Sequence, residues 1–162
     1  MNSTVEKIVA TLDLLPHPEG GFYKETYRSH IEESFEGFDG KRNVATGIYY
    51  LLEKGDFSAF HRIKSDETWH FYKGEALELF EIDLHGQVIQ TMIGNDLEKG
   101  EKPQYTVKAG HWFASRSTGK YSLVGCTVYP GFDFADFEMA QRNSLLSDHP
   151  EHKELIIELT RD

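Results

Sequence analysis

The run from Phe60 to Glu75 combines histidine, carboxylate and large aromatic side chains, and it ends beside a glycine. His61 and Glu67 are its candidates for acid–base chemistry. A histidine, with an ordinary pKa of about 6.5, accepts or donates a proton near neutral pH, and a neighbouring carboxylate holds its tautomer. We therefore predict His61 and Glu67 as the catalytic pair if the chain is an enzyme.

The direction of these side chains follows from strand alternation. Successive residues of a strand point to opposite faces, so Glu67, Trp69 and Phe71 should share one face. We predict that this face lines a cavity and that the spacing brings His61 to it. A single β-bulge would reverse the direction locally.

The spacing of His61, Ile63, Glu67 and Gly74 resembles the first motif of the cupin superfamily, which is His-x-His, three or four residues, Glu, six residues and Gly. Here Ile63 stands where that motif has its second His. The resemblance implies that His61 and Glu67 face the inside of a small barrel. It also implies that part of the usual metal site is missing.

Two further segments, Leu15 to Ser29 and Leu123 to Glu138, narrow the resemblance to the family called cupin-5 or DUF985. With the central run they cover the chain from about Leu12 to Met139. The resemblance implies an all-β fold, a double-stranded β-helix (cupin jelly-roll barrel), with a short helix at each end. It also implies a homodimer, and the family has no established common reaction.

Metal binding in cupins normally requires three histidines and a carboxylate, whose nitrogen and oxygen atoms suit Fe, Mn, Ni or Zn. The second cupin motif matches Lys108 to Phe113 best, which puts Phe113 where the third His belongs and His111 two positions earlier. The sequence therefore implies no definite cofactor. A divalent metal, if bound, would be held by His61, Glu67 and His111.

A segment near the start of the barrel, Gly21 to Glu25 followed by Arg28, is similar to one in the sugar-nucleotide epimerases of the superfamily. Those enzymes use a histidine base in an aromatic-lined barrel. The resemblance implies that His61 is a general base oriented by Glu67. It also implies that Glu25 and Arg28 contact the ligand.

Aromatic residues make up 13% of the chain, enough to line a pocket as well as fill a core. The candidates for ligand contact on this basis are Trp69, Phe71, Trp112, Phe113 and Tyr129.

Three functions are compatible with these residues. The first is binding of a small polar or sugar-like metabolite with metal-independent isomerase or epimerase chemistry, which is favoured if the chain is an enzyme. The others are a metal-dependent oxygenase or isomerase with an incomplete ligand set, and a non-catalytic ligand-binding module.

The elements that must position these residues are mostly strands. Val5, Ile8, Val9 and Leu12 recur at helical spacing and predict a helix over about residues 4–15. Pro150 and the apolar residues after it predict a terminal helix over about residues 148–160, with the barrel at about 20–138. Eight strands are predicted between them: Phe22 to Arg28, Val44 to Glu53, Glu67 to Lys73, Leu77 to Asp83, Val88 to Ile93, Gln104 to Lys108, His111 to Ser115 and Ser122 to Tyr129.

Composition limits the partners. At 162 residues the chain predicts a single domain over 1–162. A formal net charge of -10 argues against nucleic acid and anionic membrane surfaces as partners. The lone cysteine, Cys126, cannot form an intrachain disulfide, and no apolar run is long enough to span a bilayer. These features favour a cytoplasmic location.

Overall fold

The computed structural model describes residues 3–162 and is built on two large antiparallel sheets that pack face to face. The first sheet has six strands, in spatial order β1 (Leu15–Pro16), β2 (Phe22–Arg28), β5 (Thr46–Glu53), β12 (Tyr121–Tyr129), β7 (Asp66–Gly74) and β10 (Gln104–Val107). The second has five strands: β13 (Glu138–Met139), β6 (Phe57–Arg62), β11 (Trp112–Ser117), β8 (Leu77–Ile82) and β9 (Val88–Ile93). A small hairpin pairs β3 (Glu32–Ser34) with β4 (Lys41–Asn43).

The main core lies between the two sheets. Leu52 and Val124 enter it from the six-stranded sheet, and Leu77, Leu79 and Ile93 enter it from the five-stranded sheet. All five are fully buried. Because successive strand residues alternate between faces, the same strands also present apolar side chains outward, and these need a second cover.

Helices cover the outer faces. The amphipathic helix α1 (Ser3–Leu12) packs Val5 over Leu51 and Leu123 of the six-stranded sheet. At the other end of the chain, α2 (Arg142–Asp148) and α3 (Lys153–Glu158) bury Leu145 and Ile156 on the outside of the five-stranded sheet. Short 3-10 turns occur at Leu97–Lys99, Phe134–Asp136 and Pro150–His152. Among residues 3–162 no helix is long and apolar enough to cross a bilayer.

This architecture confirms the predicted all-β double-stranded β-helix with short terminal helices. All eight predicted strands are present, and β2 and β9 have the predicted bounds. The strand β6 was not predicted, although it carries His61. Its four central residues, Ser58 to His61, are buried on both faces, so the sequence shows no regular polar alternation there.

Both predicted helices have different bounds. The first ends at Leu12 instead of Leu15, because Asp13 adopts a positive φ of 55° and Leu15 pairs with Tyr23 of β2. The predicted helix over 148–160 is instead the 3-10 turn at Pro150–His152 followed by α3, with α2 ending at Asp148. Proline has no amide N–H to continue an α-helix, which explains the break.

Because side chains pack closely between the sheets, a cavity in the core should lower the free energy of unfolding substantially. We expect Leu79→Ala to lower the free energy of unfolding by about 2–5 kcal/mol, because the surrounding side chains collapse only partly into the space left. Leu84→Ala is the matched control, since Leu84 is 74% exposed and should lose less than about 0.5 kcal/mol. Urea denaturation of both variants measures the difference, and equal losses would contradict this placement of the core.

Candidate functional site

A cavity of about 320 Å³ opens into the barrel interior. Its wall is formed by the loop between β1 and β2, by β2, β5, β6 and β7, and by the segment after β12. Its polar and charged lining residues are His17, Glu19, Glu25, Arg28, Thr46, His61, Glu67 and Asp133, and its apolar and aromatic ones are Tyr23, Ile48, Ile63, Phe132, Phe134 and Phe137. A concave site with a few converging polar groups is typical of small-molecule binding.

His61 reaches this cavity because β6 contains a bulge. On the paired strand β11, Phe113 lies opposite His61 and Ser115 lies opposite Ser58, so three residue steps on β6 match two on β11. Residues three apart on a regular strand point to opposite faces. The extra residue in β6 lets both Ser58 and His61 point inward. The His61 ring packs between Phe113 and Phe137, with ring centroids 4.1 and 5.3 Å away.

The buried end of the cavity is dominated by an ion pair between His61 and Glu19. The His61 Nε2 atom lies 2.8 Å from Glu19 Oε2, and its Nδ1–H donates to the Ala59 carbonyl oxygen at 2.7 Å. The two residues are only 3% and 6% exposed. Both ring nitrogens therefore have partners, which fits a protonated imidazole ring.

The pKa shifts of His61 and Glu19 agree with a charged pair. Burial alone lowers the pKa of His61, but the Glu19 carboxylate outweighs it, so that the pKa of His61 is raised. Burial alone raises the pKa of Glu19, but the His61 imidazolium outweighs it, so that the pKa of Glu19 is lowered. The pair is thus stabilised as an imidazolium and a carboxylate.

The loop that carries Glu19 is held by hydrogen bonds and two glycines. The Tyr50 hydroxyl donates to the Gly20 carbonyl oxygen at 2.6 Å, and the Ala59 amide donates to that of Glu19 at 2.9 Å. Gly20 has a φ of 113°, and a Cβ there would lie 2.1 Å from the Phe57 carbonyl oxygen. Only glycine fits this close approach, which fixes the direction of Glu19.

Glu67 is the second buried carboxyl group of the cavity, on β7, and it is 8% exposed. Burial raises its pKa to about 7, even though the nearby His61 acts to lower it. The Cys126 thiol, on the neighbouring strand β12, also acts to lower this pKa. Among residues 3–162, no Lys, Arg or His side chain forms an ion pair with Glu67, because His61 is paired with Glu19. Glu67 therefore changes its protonation state near neutral pH.

His17 completes the buried end. Its Nδ1 atom accepts a hydrogen bond from the Glu19 amide at 3.1 Å, so that nitrogen carries no proton. Burial lowers the pKa of His17, which keeps the ring neutral. The ring lies edge-on to Tyr23, with centroids 4.6 Å apart. His17 therefore supports the Glu19 loop without adding charge.

Arg28 and Glu25, both on β2, form the rim. The Arg28 guanidinium donates from Nε and Nη2 to the two Glu25 carboxylate oxygens at 2.7 and 3.1 Å. It also donates to Asn43 Oδ1 and to the Phe132 carbonyl oxygen. The positive charge at the rim is therefore already paired with a carboxylate.

Comparison with known proteins places this site in a family. The sequence profile described as "Cupin superfamily (DUF985)" matches residues 6–140. The chain belongs to this family. The DUF985 chain is 30% identical over 149 residues to the uncharacterized protein YML079W of Saccharomyces cerevisiae, covering 83% of this chain and 74% of that protein.

Two solved structures are similar to this DUF985 chain over nearly its whole length. A hypothetical protein from Leishmania major is 34% identical, with a TM-score of 0.91, over 97% of this chain and 98% of that one. Protein SO0799 from Shewanella oneidensis is 39% identical, with a TM-score of 0.89, over 99% of this chain and 98% of that one. This chain therefore shares its fold with both relatives over nearly its whole length.

The cupin fold raises the question of a metal, and the residues present do not fit one. Among residues 3–162, no group of three or more His, Cys, Asp or Glu side chains is arranged to hold a metal ion. Both nitrogens of His61 are hydrogen-bonded, and Ile63 lines the cavity where the cupin motif has its second His. A metal would have to displace Glu19 from His61.

The structure brings four of the sequence-predicted site residues to the cavity: His61, Glu67, Glu25 and Arg28. It puts Trp69 and Phe113 in the core beneath, where their rings are perpendicular with centroids 6.3 Å apart. Phe71 packs against the same core and does not line the cavity.

The remaining candidates lie elsewhere. The Trp112 ring is on the outer face of β11, under the Arg62 guanidinium at 4.2 Å. Tyr129 is exposed, and its hydroxyl hydrogen-bonds with Thr68. His111 Nδ1 lies 3.0 Å from Glu81 Oε1, and Glu81 also accepts from the Tyr105 hydroxyl. His111 therefore does not share a site with His61 and Glu67.

Sequence reasoning missed Glu19 and the aromatic residues Phe132, Phe134 and Phe137. For Glu19 a signal existed: it lies directly before two glycines, which often allow a close backbone approach. The partner of His61 was predicted as Glu67, whereas the residue at hydrogen-bond distance is Glu19. The two residues are far apart in sequence, so spacing gave no indication of the pair.

The buried pair predicts a pH-dependent effect of Glu19→Gln. We expect this change to cost about 3 kcal/mol of unfolding free energy, because it leaves the buried His61 without its counter-charge. The cost should be largest between about pH 4.5 and 6.5, the ordinary pKa values of the two groups. It should decline as pH rises through the raised pKa of His61, and also as pH falls through the lowered pKa of Glu19.

Urea denaturation across this pH range measures the effect. The matched control is Glu138→Gln, since Glu138 pairs with Arg62 in an exposed salt bridge worth at most about 1 kcal/mol. Equal, pH-independent losses in the two variants would contradict the buried ion pair.

Proposed function

We propose that the cavity binds a small polar, sugar-like metabolite and that Glu67 transfers a proton to or from it, as in an isomerase or epimerase. The observation that carries this proposal is the buried carboxyl group of Glu67, which has no cationic partner among residues 3–162. It lies beside the paired His61 and Glu19 at the closed end of an aromatic-lined cavity.

The dimensions and wall of the cavity support a ligand of this kind. A volume of about 320 Å³ lies at the small end of the range for metabolite sites. Phe132, Phe134 and Phe137 meet edge to face, with centroid distances of 4.9 to 6.2 Å, and give the cavity a rigid apolar wall. Such a wall can pack against the C–H face of a sugar ring while polar groups opposite bind its hydroxyls.

The charges of the cavity disfavour anionic ligands. A phosphate or diphosphate group normally requires free arginine or lysine donors. Here the Arg28 guanidinium is bound to Glu25, and the His61 imidazolium is bound to Glu19. A sugar nucleotide would therefore have to displace one of these carboxylates.

The chemistry assigned to Glu67 is proton transfer at carbon. With a pKa of about 7, Glu67 accepts and donates a proton near neutral pH with little cost in either direction. The ionised form would take a proton from a carbon next to a carbonyl, giving neutral Glu67 and an enolate. Protonation of the opposite face by a water molecule, whose hydroxide then takes the proton from Glu67, gives the epimer. In a 2-hydroxy carbonyl compound, transfer of the hydroxyl proton to the enolate oxygen and delivery of the Glu67 proton to the former carbonyl carbon give the isomer.

The His61–Glu19 pair has a supporting role in this proposal. The sequence suggested His61 as the base, but its two nitrogens are hydrogen-bonded to Ala59 and Glu19. The pair would fix the closed end of the cavity beside Glu67 without accepting a proton itself. Glu67 is therefore the better candidate for the base.

The homodimer stays a prediction, and we include it in the proposal. β1 is an edge strand of only two residues, and Leu15 on it is exposed, as is Tyr27 on the neighbouring β2. Pairing of two such edges would protect them. Sedimentation equilibrium gives the oligomeric state directly.

The proposed chemistry predicts solvent exchange that depends on Glu67. Aldoses and ketoses incubated with the protein in D2O should gain deuterium next to the carbonyl carbon, as followed by proton NMR. Glu67→Gln should slow this exchange by about 100-fold or more, since it removes the acid–base group.

Glu98→Gln is the matched control, because Glu98 is exposed in a surface turn and should leave exchange unchanged. Undiminished exchange in Glu67→Gln would rule out its role as the base. Saturable sugar binding without exchange in the unaltered protein would support the ligand-binding module instead.

A further inference from the structure

The cavity carries more negative than positive charge. Four carboxyl side chains line it, those of Glu19, Glu25, Glu67 and Asp133. Its positive groups are Arg28 and the protonated His61, and each of these is bound to one of the carboxylates. His17 adds no charge, since its Nδ1 accepts the Glu19 amide hydrogen bond. Among residues 3–162, Glu67 at the buried end and Asp133 at the rim form no ion pair, and we call them the unbalanced carboxyl groups. Arg28 and Arg42 act on Asp133 from a longer distance.

The aromatic wall has the composition that binds cations. Tyr23, Phe132, Phe134 and Phe137 line the same cavity as the unbalanced carboxyl groups. The negative face of an aromatic ring attracts an ammonium group, and the attraction is strongest where water is excluded. One face of Phe137 already stacks on the His61 ring, 5.3 Å away between centroids. The rings of Tyr23, Phe132 and Phe134 remain as the cation-binding wall.

We propose that the ligand of this cavity carries an ammonium group, bound against the rings of Tyr23, Phe132 and Phe134 and balanced by the ionised Glu67. This inference rests on the proposed ligand-binding function and adds the charge of the ligand to it. The ligand class is a small amine or quaternary ammonium compound, amino sugars included. The two positive groups already in the cavity do not oppose this ligand, because each is neutralised by its own carboxylate.

Burial of Glu67 is the second support, independent of the wall. Glu67 is 8% exposed and lines the cavity, and the Cys126 thiol near it on β12 is at most a weak hydrogen-bond donor. A buried carboxylate is costly unless a cation or several donors compensate for its lost hydration. The charged groups that act on it, His61 on β6 and Glu19 in the β1–β2 loop, shift its pKa in opposite directions and are paired with each other. An ammonium ligand would supply the missing counter-charge.

The inference is tested with two probes of the same shape and different charge, choline and its neutral carbon analogue 3,3-dimethylbutan-1-ol. Titration of the full chain by NMR or calorimetry gives both dissociation constants. We expect choline to bind about 2- to 30-fold more tightly, the range that corresponds to a cation–π contribution. Choline affinity should also rise up to about tenfold between pH 6 and pH 8, as Glu67 ionises, while that of the neutral analogue stays constant.

Two variants link this preference to the cavity. Phe134→Leu keeps an apolar side chain but removes the ring, and Phe134 is 52% exposed, so the fold should tolerate the change. It should reduce the choline preference, whereas Phe35→Leu, outside the cavity, should not. Glu67→Gln should abolish the pH dependence of choline binding.

Other results would overturn the inference. Equal binding of the two probes, a preference that survives both Phe134→Leu and Glu67→Gln, or no choline binding in the millimolar range would each do so. Glucose and glucose 6-phosphate are titrated in the same way. They distinguish a failure of the ammonium inference from a failure of the proposed ligand-binding function. If either of them binds and choline does not, the cavity is a ligand site and only the charge assignment is wrong. If none of the probes binds, both proposals fail.

Discussion

The ion pair between His61 and Glu19 is the constraint on which the rest of the site depends. Two charged groups inside a barrel lose their hydration, and this cost is offset only if each finds good partners. Here the imidazolium has the Ala59 carbonyl oxygen and the Glu19 carboxylate, and Glu19 is brought to it by a loop anchored through Tyr50 and the glycine pair. The β1–β2 loop, the bulge in β6 and the bottom of the cavity are therefore fixed together.

The same pairing determines the properties of Glu67. Because His61 is neutralised by Glu19, burial dominates at Glu67 and raises its pKa to about 7. Had His61 been free to pair with Glu67, its imidazolium would have favoured the ionised carboxylate at all but acidic pH. One ion pair thus leaves a second carboxyl group able to exchange protons near neutral pH. It also leaves the cavity with an unbalanced negative charge.

Family membership explains the fold but not the chemistry. The DUF985 profile covers residues 6–140, and the two solved relatives cover nearly all of this chain, so the fold is shared with them. The usual cupin metal ligands are not all present, because Ile63 and Phe113 occupy two of their positions. The function proposed here therefore rests on the cavity, its paired charges and its aromatic wall.

The sequence by itself determined most of the strands through local alternation. Its resemblance to the cupin motifs also implied the barrel and the presence of His61 and Glu67 in it. The tertiary structure alone decided which carboxylate His61 contacts. Glu19 and His61 lie on different elements, and a one-residue bulge in β6 sets the direction of His61. The aromatic residues predicted as ligand contacts show the same limit: Trp69 and Phe113 fill the core, while Phe132 and Phe134, in a segment without strand pattern, line the cavity. Alternation tells which residues share a face, but only the packing of the two sheets decides which part of that face stays open to a ligand.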